Sequence, residues 1–188
     1  YRTPEQIQSA LNGVYNRLID PNGRMYSKAL YSYFAISDEA FYKNISINNI
    51  RVMQFDAGSL DIGRFWEVLY EGVSRANYLI AYVDEESLDT PEKKAMLGEA
   101  YFLRGYYYFL LTSYFGEVPL KLTPTESPNE KPLPKSSLAD IYTQIVSDMQ
   151  RAEEMVLDID VLGTNERVSV TAVQAVLARV FLKMAGQP

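Results

Sequence analysis

The chain has 188 residues, 47% of them apolar, with 18 Lys and Arg against 24 Asp and Glu for a formal charge of -6. That is enough apolar material for one substantial core, and with no basic stripe to neutralise phosphates, nucleic acid is not an expected partner. There is no cysteine and no histidine, which excludes thiol nucleophiles, disulfides, thiolate zinc sites and every catalytic scheme built on imidazole.

Thr3, Pro4 and Gln6 open the first helix as N-cap, N1 and N3, the residues that satisfy the free amides of a helix start. Ile7, Ala10, Leu11, Val14, Tyr15 and Leu18 then recur on one face, until Asp20, Pro21, Asn22 and Gly23 stop it. A second helix is predicted over Ile62–Val83, with Phe65, Trp66, Leu69, Tyr70, Val73, Ala76, Asn77 and Ile80 along one side. Thr90, Pro91 and Glu92 repeat the first start signal, and the third helix should run to Phe115. From Ala100 onward it has almost no polar face, so it must be enclosed by other elements and is the expected hub.

Five of the nine prolines fall between Gly116 and Ser136. That density forbids helix and favours extended chain. Ser136 or Ser137 caps a fourth helix carrying Leu138, Ile141, Ile145, Met149, Ala152 and Val156. A fifth, from Ser169 to Ala185, turns Val173, Val176, Leu177, Val180, Phe181 and Met184 inward and stops at Gly186. The expectation is an all-α fold of antiparallel helix pairs, tetratricopeptide-like, with long irregular loops. No clean 34-residue period supports a strict repeat. The chain opens at Tyr1 inside ordered-looking sequence and closes at Pro188 just after a helix stop. It shows no signal peptide, lipobox or membrane-length apolar run, and is expected to be part of a longer protein.

Residues 98–120 read GEAYFLRGYYYFLLTSYFGEVPL. This resembles the signature of the SusD/RagB family, in which a Gly-Glu-Ala, Phe-Leu-Arg, aromatic-rich helix ends at Phe-Gly and continues as Val-Pro-Leu. WEVLYEGVSRANYLI at 66–80, PKSSLADIYTQIVSDMQRAE at 134–153 and RVSVTAVQAVLARVFLKMAG at 167–186 agree in the order the family requires. Tyr101 stands where a charged residue is common, and Met149 where Leu is usual. The resemblance covers nearly the whole chain but only the front of the family's longer architecture. Residues 1–188 are therefore expected to be an N-terminal helical domain with a proline-rich connection at 116–136.

The resemblance implies a non-enzymatic, lipid-anchored protein on the outer face of a Bacteroidetes-type outer membrane. Such a protein lids a SusC-like TonB-dependent transporter and binds oligosaccharide or, less often, peptide. The lipidated cysteine would lie upstream of Tyr1. A different class of function, also compatible with the pattern, is a helical-repeat scaffold whose concave face binds peptide or protein.

Several residues invite a site assignment. Tyr101, Phe102, Tyr106, Tyr107, Tyr108 and Phe109 could offer a sugar platform, but rings at consecutive helix positions point all round and are expected in the core. Glu99 and Arg104 are expected to bond neighbouring helices and loop carbonyls, and Trp66, on an apolar stripe, to pack. The stronger candidate is the polar, aperiodic stretch 37–60, with Tyr42, Asn44, Asn48, Asn49, Arg51, Gln54 and Phe55 as ligand-binding residues. Amides and guanidinium match vicinal hydroxyls, and ordered loops of that length usually carry function. In the family, the glycan site draws partly on this stretch. The acidic groups at 38–39, 84–86 and 153–154 lack the cross-cleft separation of glycosidase carboxylates. Asp158, Asp160 and Gly163 imitate half a calcium loop, but Leu162 and Ser169 break it. No cofactor or metal is expected.

Overall fold

The computed structural model describes residues 1–20, 22, 24–25, 58, 60–127, 129–163 and 166–186, and among these it is helical with no strand. The helices are α1 (Pro4–Ile19), α2 (Leu60–Tyr82), α3 (Pro91–Phe115), α4 (Leu138–Met155), the single turn α5 (Ile159–Leu162) and α6 (Val170–Ala185), with one 3-10 turn at Glu85–Ser87. The capping residues explain the starts. Thr3 Oγ1 accepts from the Gln6 amide at 3.3 Å while Gln6 Oε1 accepts from the Thr3 amide at 3.4 Å, so two free donors are satisfied reciprocally. Thr90, Ser137 and Ser169 each accept from the amide three residues on, which settles the α4 cap as Ser137. α5 has no such bond from Asp158 and did not announce itself in the sequence.

The pairing is antiparallel, as the reciprocal numbering of the contacts requires. Between α1 and α2, Gly13 meets Arg75 and Arg17 meets Glu71. Between α2 and α3, Trp66 meets Phe115, Tyr70 meets Tyr108 and Asn77 meets Arg104. Between α3 and α4, Tyr101 meets Arg151 and Arg104 meets Asp148. α3 is the element that α1, α2, α4 and α6 all touch. α1, α2 and α4 surround it, and Leu103, Tyr107, Tyr108 and Leu111 are completely buried.

Two close approaches fix that hub. A Cβ on Gly98 would sit 2.7 Å from Met155 Cβ and 3.2 Å from the Val156 nitrogen, so only glycine lets α3 lie against the end of α4. On the other side, Gly72 of α2 makes room for the Tyr107 ring, whose hydroxyl donates to the Val14 carbonyl of α1 at 2.8 Å.

The expectation for α6 needs correction. Val173 and Val180 are buried and Val176 and Leu177 half-buried, but Phe181 is 48% and Met184 36% exposed, beside Leu182 at 74%. α6 packs on α4 with only a fringe of α3. Its apolar period marks a face, but the distal half of that face has no neighbour among the described residues.

Candidate functional site

The charged residues that could have suggested chemistry are committed to holding helices together. Arg104 forms a bidentate pair with Asp148, Nε to Oδ2 at 2.8 Å and Nη2 to Oδ1 at 2.7 Å, and its Nη1 donates to Asn77 Oδ1 at 3.0 Å. Asn77 Nδ2 in turn donates to the Lys121 carbonyl at 2.9 Å. One buried cation thus ties α2, α3, α4 and the following loop, with its hydrogen-bonding capacity used rather than stranded.

Glu99, equally buried, accepts from Arg167 Nε at 2.9 Å and from the Tyr15 hydroxyl. Burial first, and then the neighbouring Glu99 charge, push the Tyr15 phenol well above its ordinary range. It stays a donor at any physiological pH. At the end of α1, Arg17 and Arg24 converge on Asp20 and Glu71. Hydrogen bonds from Arg24 hold the Glu71 carboxyl below its usual range. At Asp20, burial opposes the charge but the Arg24 bonds prevail and the shift is again downward. A carboxylate locked to arginine is a poor general acid, because its charged form is already stabilised. Among the described residues no group of acidic side chains could hold a metal ion.

A cleft lies beside the proline-rich connection. Residues 118–136 form a loop closed at its base, where the Ser136 amide donates to the Val118 carbonyl at 3.0 Å. Helical α2 side chains peg it down: the Tyr70 hydroxyl donates to the Pro119 carbonyl at 2.7 Å, and the Tyr78 hydroxyl to that of Thr125. The prolines bring no amide hydrogen to a ladder, and the Pro119 and Thr125 carbonyls take their donors from α2 side chains. Between loop and helix lies this cleft, of about 350 Å³, lined by Trp66 and Tyr70 on one side and by Pro119, Pro132 and Leu133 on the other. Lys121 stands at its rim, paired with Glu130 and donating to Thr125 Oγ1 at 2.7 Å. The hydrogen bond from Lys121 keeps the Glu130 carboxyl below its usual range.

The predicted site residues fare differently. Tyr42, Asn44, Asn48, Asn49, Arg51, Gln54 and Phe55 lie outside the described residues. Of the α3 rings, Tyr101, Phe102, Tyr107 and Tyr108 are buried and Tyr106 and Phe109 half-buried against the core. Trp66 is only half-buried. Its ring meets Phe115 edge-on at 5.0 Å and Tyr70 at 4.9 Å, and it also forms cleft wall, so packing describes one part of it and surface the other. Lys121, Glu130 and Leu133 were not anticipated. The prolines announced extended chain, but only the α2 tyrosines could have indicated where that chain would lie.

A helical array of antiparallel pairs around one enclosed helix defines a tetratricopeptide-like architecture. Residues 2–182 match the model of a SusD-like family described as starch-binding and associating with the outer membrane, and the chain belongs to that family. It is 24% identical over 165 residues to a SusD-like protein, P2, of Formosa agariphila, covering 84% of this chain and 32% of that one. The crystal structure of a SusD superfamily protein from Bacteroides vulgatus superposes with a TM-score of 0.83 at 25% identity, over 98% of this chain and 40% of that one. A laminarin-binding SusD-like protein has the same fold, with a TM-score of 0.79 at 22% identity over 98% of this chain and 41% of its own. The chain thus spans about two fifths or less of the length of these relatives.

Proposed function

We propose that this chain is the helical scaffold of a cell-surface glycan-binding protein that captures oligosaccharide and passes it, without chemical change, to a SusC-like TonB-dependent transporter. The observation that carries the reading is the family match across residues 2–182. The interior is consistent with it, since Glu99 and Asp148 are each paired with an arginine that ties helices together. In this reading the protein is held at the outer membrane by a lipid on a cysteine upstream of Tyr1, and Tyr42, Asn44, Asn48, Asn49, Arg51, Gln54 and Phe55 contribute ligand contacts.

Calorimetry against soluble starch, laminarin and xyloglucan tests it. Heat is expected with at least one polysaccharide, with no release of reducing ends on prolonged incubation. Silence across the panel, together with heat from peptides, would replace the reading with that of a peptide-binding scaffold. Co-purification from outer membranes with a TonB-dependent receptor is the expected outcome for the partner, and its absence under gentle solubilisation would remove the delivery step.

A further inference from the structure

Trp66 and Tyr70, and again Tyr78 and Tyr82, are four residues apart along α2, so each pair is adjacent on the surface, and the series turns about 160° around the helix from end to end. At 1.5 Å per residue the series is about 24 Å long. Each ring is fixed by something already described or by its neighbour. Trp66 is wedged between Phe115 and Tyr70. Tyr70 and Tyr78 are tethered through their hydroxyls to the 118–136 loop, and Tyr82 stacks on Tyr78 at 5.8 Å with planes 28° apart. Yet Tyr78 is 37% and Tyr82 50% exposed. Large rings that are open but already immobilised lose little freedom when a ligand settles on them.

The loop side of the series supplies the complement. Thr125 joins the two parts, since its side chain lines the cleft while its carbonyl accepts from Tyr78. Lys121 and Glu130 pair with each other, and with Lys131 they leave a rim that mixes ammonium donors, a carboxylate acceptor and the hydroxyls of Thr125 and Ser127. A volume of about 350 Å³ stands at the small end of ligand-sized cavities. The ligand that fits has a flat apolar face for the rings and hydroxyls around its edge for the rim. A pyranose unit of an oligosaccharide meets both conditions.

We infer that the cleft between α2 and the 118–136 loop, continued over Tyr78 and Tyr82, is a subsite for a short stretch of glycan. The inference rests on the glycan-binding reading above, and the sequence provides a way to test the two apart. Trp66 is the only tryptophan in the chain, so selectively excited tryptophan emission reports on this cleft, whereas calorimetry reports on binding anywhere.

Titration with maltoheptaose and with laminariheptaose should change Trp66 emission saturably with one of them. The same sugar should protect the ring from a neutral quencher at the calorimetric midpoint. Tyr82→Ala, an exposed change that leaves the core intact, should weaken that binding by about three- to tenfold, the loss expected for one stacked ring. Calorimetric binding with Trp66 emission and quenching unmoved would overturn the subsite while leaving glycan capture standing. No heat from any sugar would overturn both. A Trp66 response to a proline-rich peptide and to none of the sugars would hand the cleft to a peptide, and unchanged affinity in Tyr82→Ala would strike out the continuation along α2.

Discussion

α3 and α6 are both strongly apolar helices, and the fold treats them in opposite ways. α3 is enclosed by α1, α2 and α4, so even its charged residues Glu99 and Arg104 are buried and must find partners. α6 has one substantial neighbour and leaves Phe181 and Leu182 in the open. The difference teaches that apolar periodicity specifies the direction in which a helix would bury itself, whereas burial also needs something on the other side. A buried charge then becomes the most consequential residue of the enclosed helix, because no water can take over from a lost partner.

That contrast can be broken at several points. Replacing Arg104 by Met should cost the most, about 3–5 kcal/mol, because Asp148 would be left buried without its cation. Denaturant unfolding measures this, and a loss no larger than that of a surface change would mean that water reaches the pair. Leu103→Ala, emptying a completely buried position on the same helix, should cost about 2–5 kcal/mol through lost transfer energy plus a cavity. Gly98→Ala forces a methyl group into Met155 and the backbone of Val156, and a penalty of about 1–3 kcal/mol is expected from overpacking. Thermal unfolding of this variant at or above the parent midpoint would show that α4 can simply shift away. At the far end of the scale, Leu182→Ser should change the stability of the chain by less than about 0.5 kcal/mol. A larger loss would mean that the α6 face is covered after all, and the comparison with α3 would have to be redrawn.

The helix starts were legible because capping is a local code: Thr3, Thr90, Ser137 and Ser169 each act on an amide three residues away. The enclosure of α3 was legible too, since a run from Ala100 with no polar face has only one stable location. The burial of α6 was misjudged for the reason just given, that a stripe does not name its partner. The cleft went unread for another reason. Trp66 and Tyr70 were counted in the stripe of α2, and the tyrosines at 78 and 82 were not set beside them. Yet the spacing of four within each pair was in the sequence, and Tyr70 and Tyr78 are where the proline-rich loop is pegged. What no local pattern could supply is the pairing of Lys121 with Glu130 across that loop, which depends on how the chain doubles back.

The seat of Tyr107 has a consequence for the order of events during folding. Its ring lies against Gly72 while its hydroxyl reaches the Val14 carbonyl, so α1 docks on a surface that exists only once α2 and α3 have come together. α2 and α3 are separated by a short connection, whereas α1 must return across the whole stretch from Asp20 to Ser59, a closure that is entropically slower. The local hairpin should therefore form early and α1 arrive late. In native-state hydrogen exchange the amides of α1 should open before those of α3. Equal protection in the two helices would mean instead that all three condense in a single step.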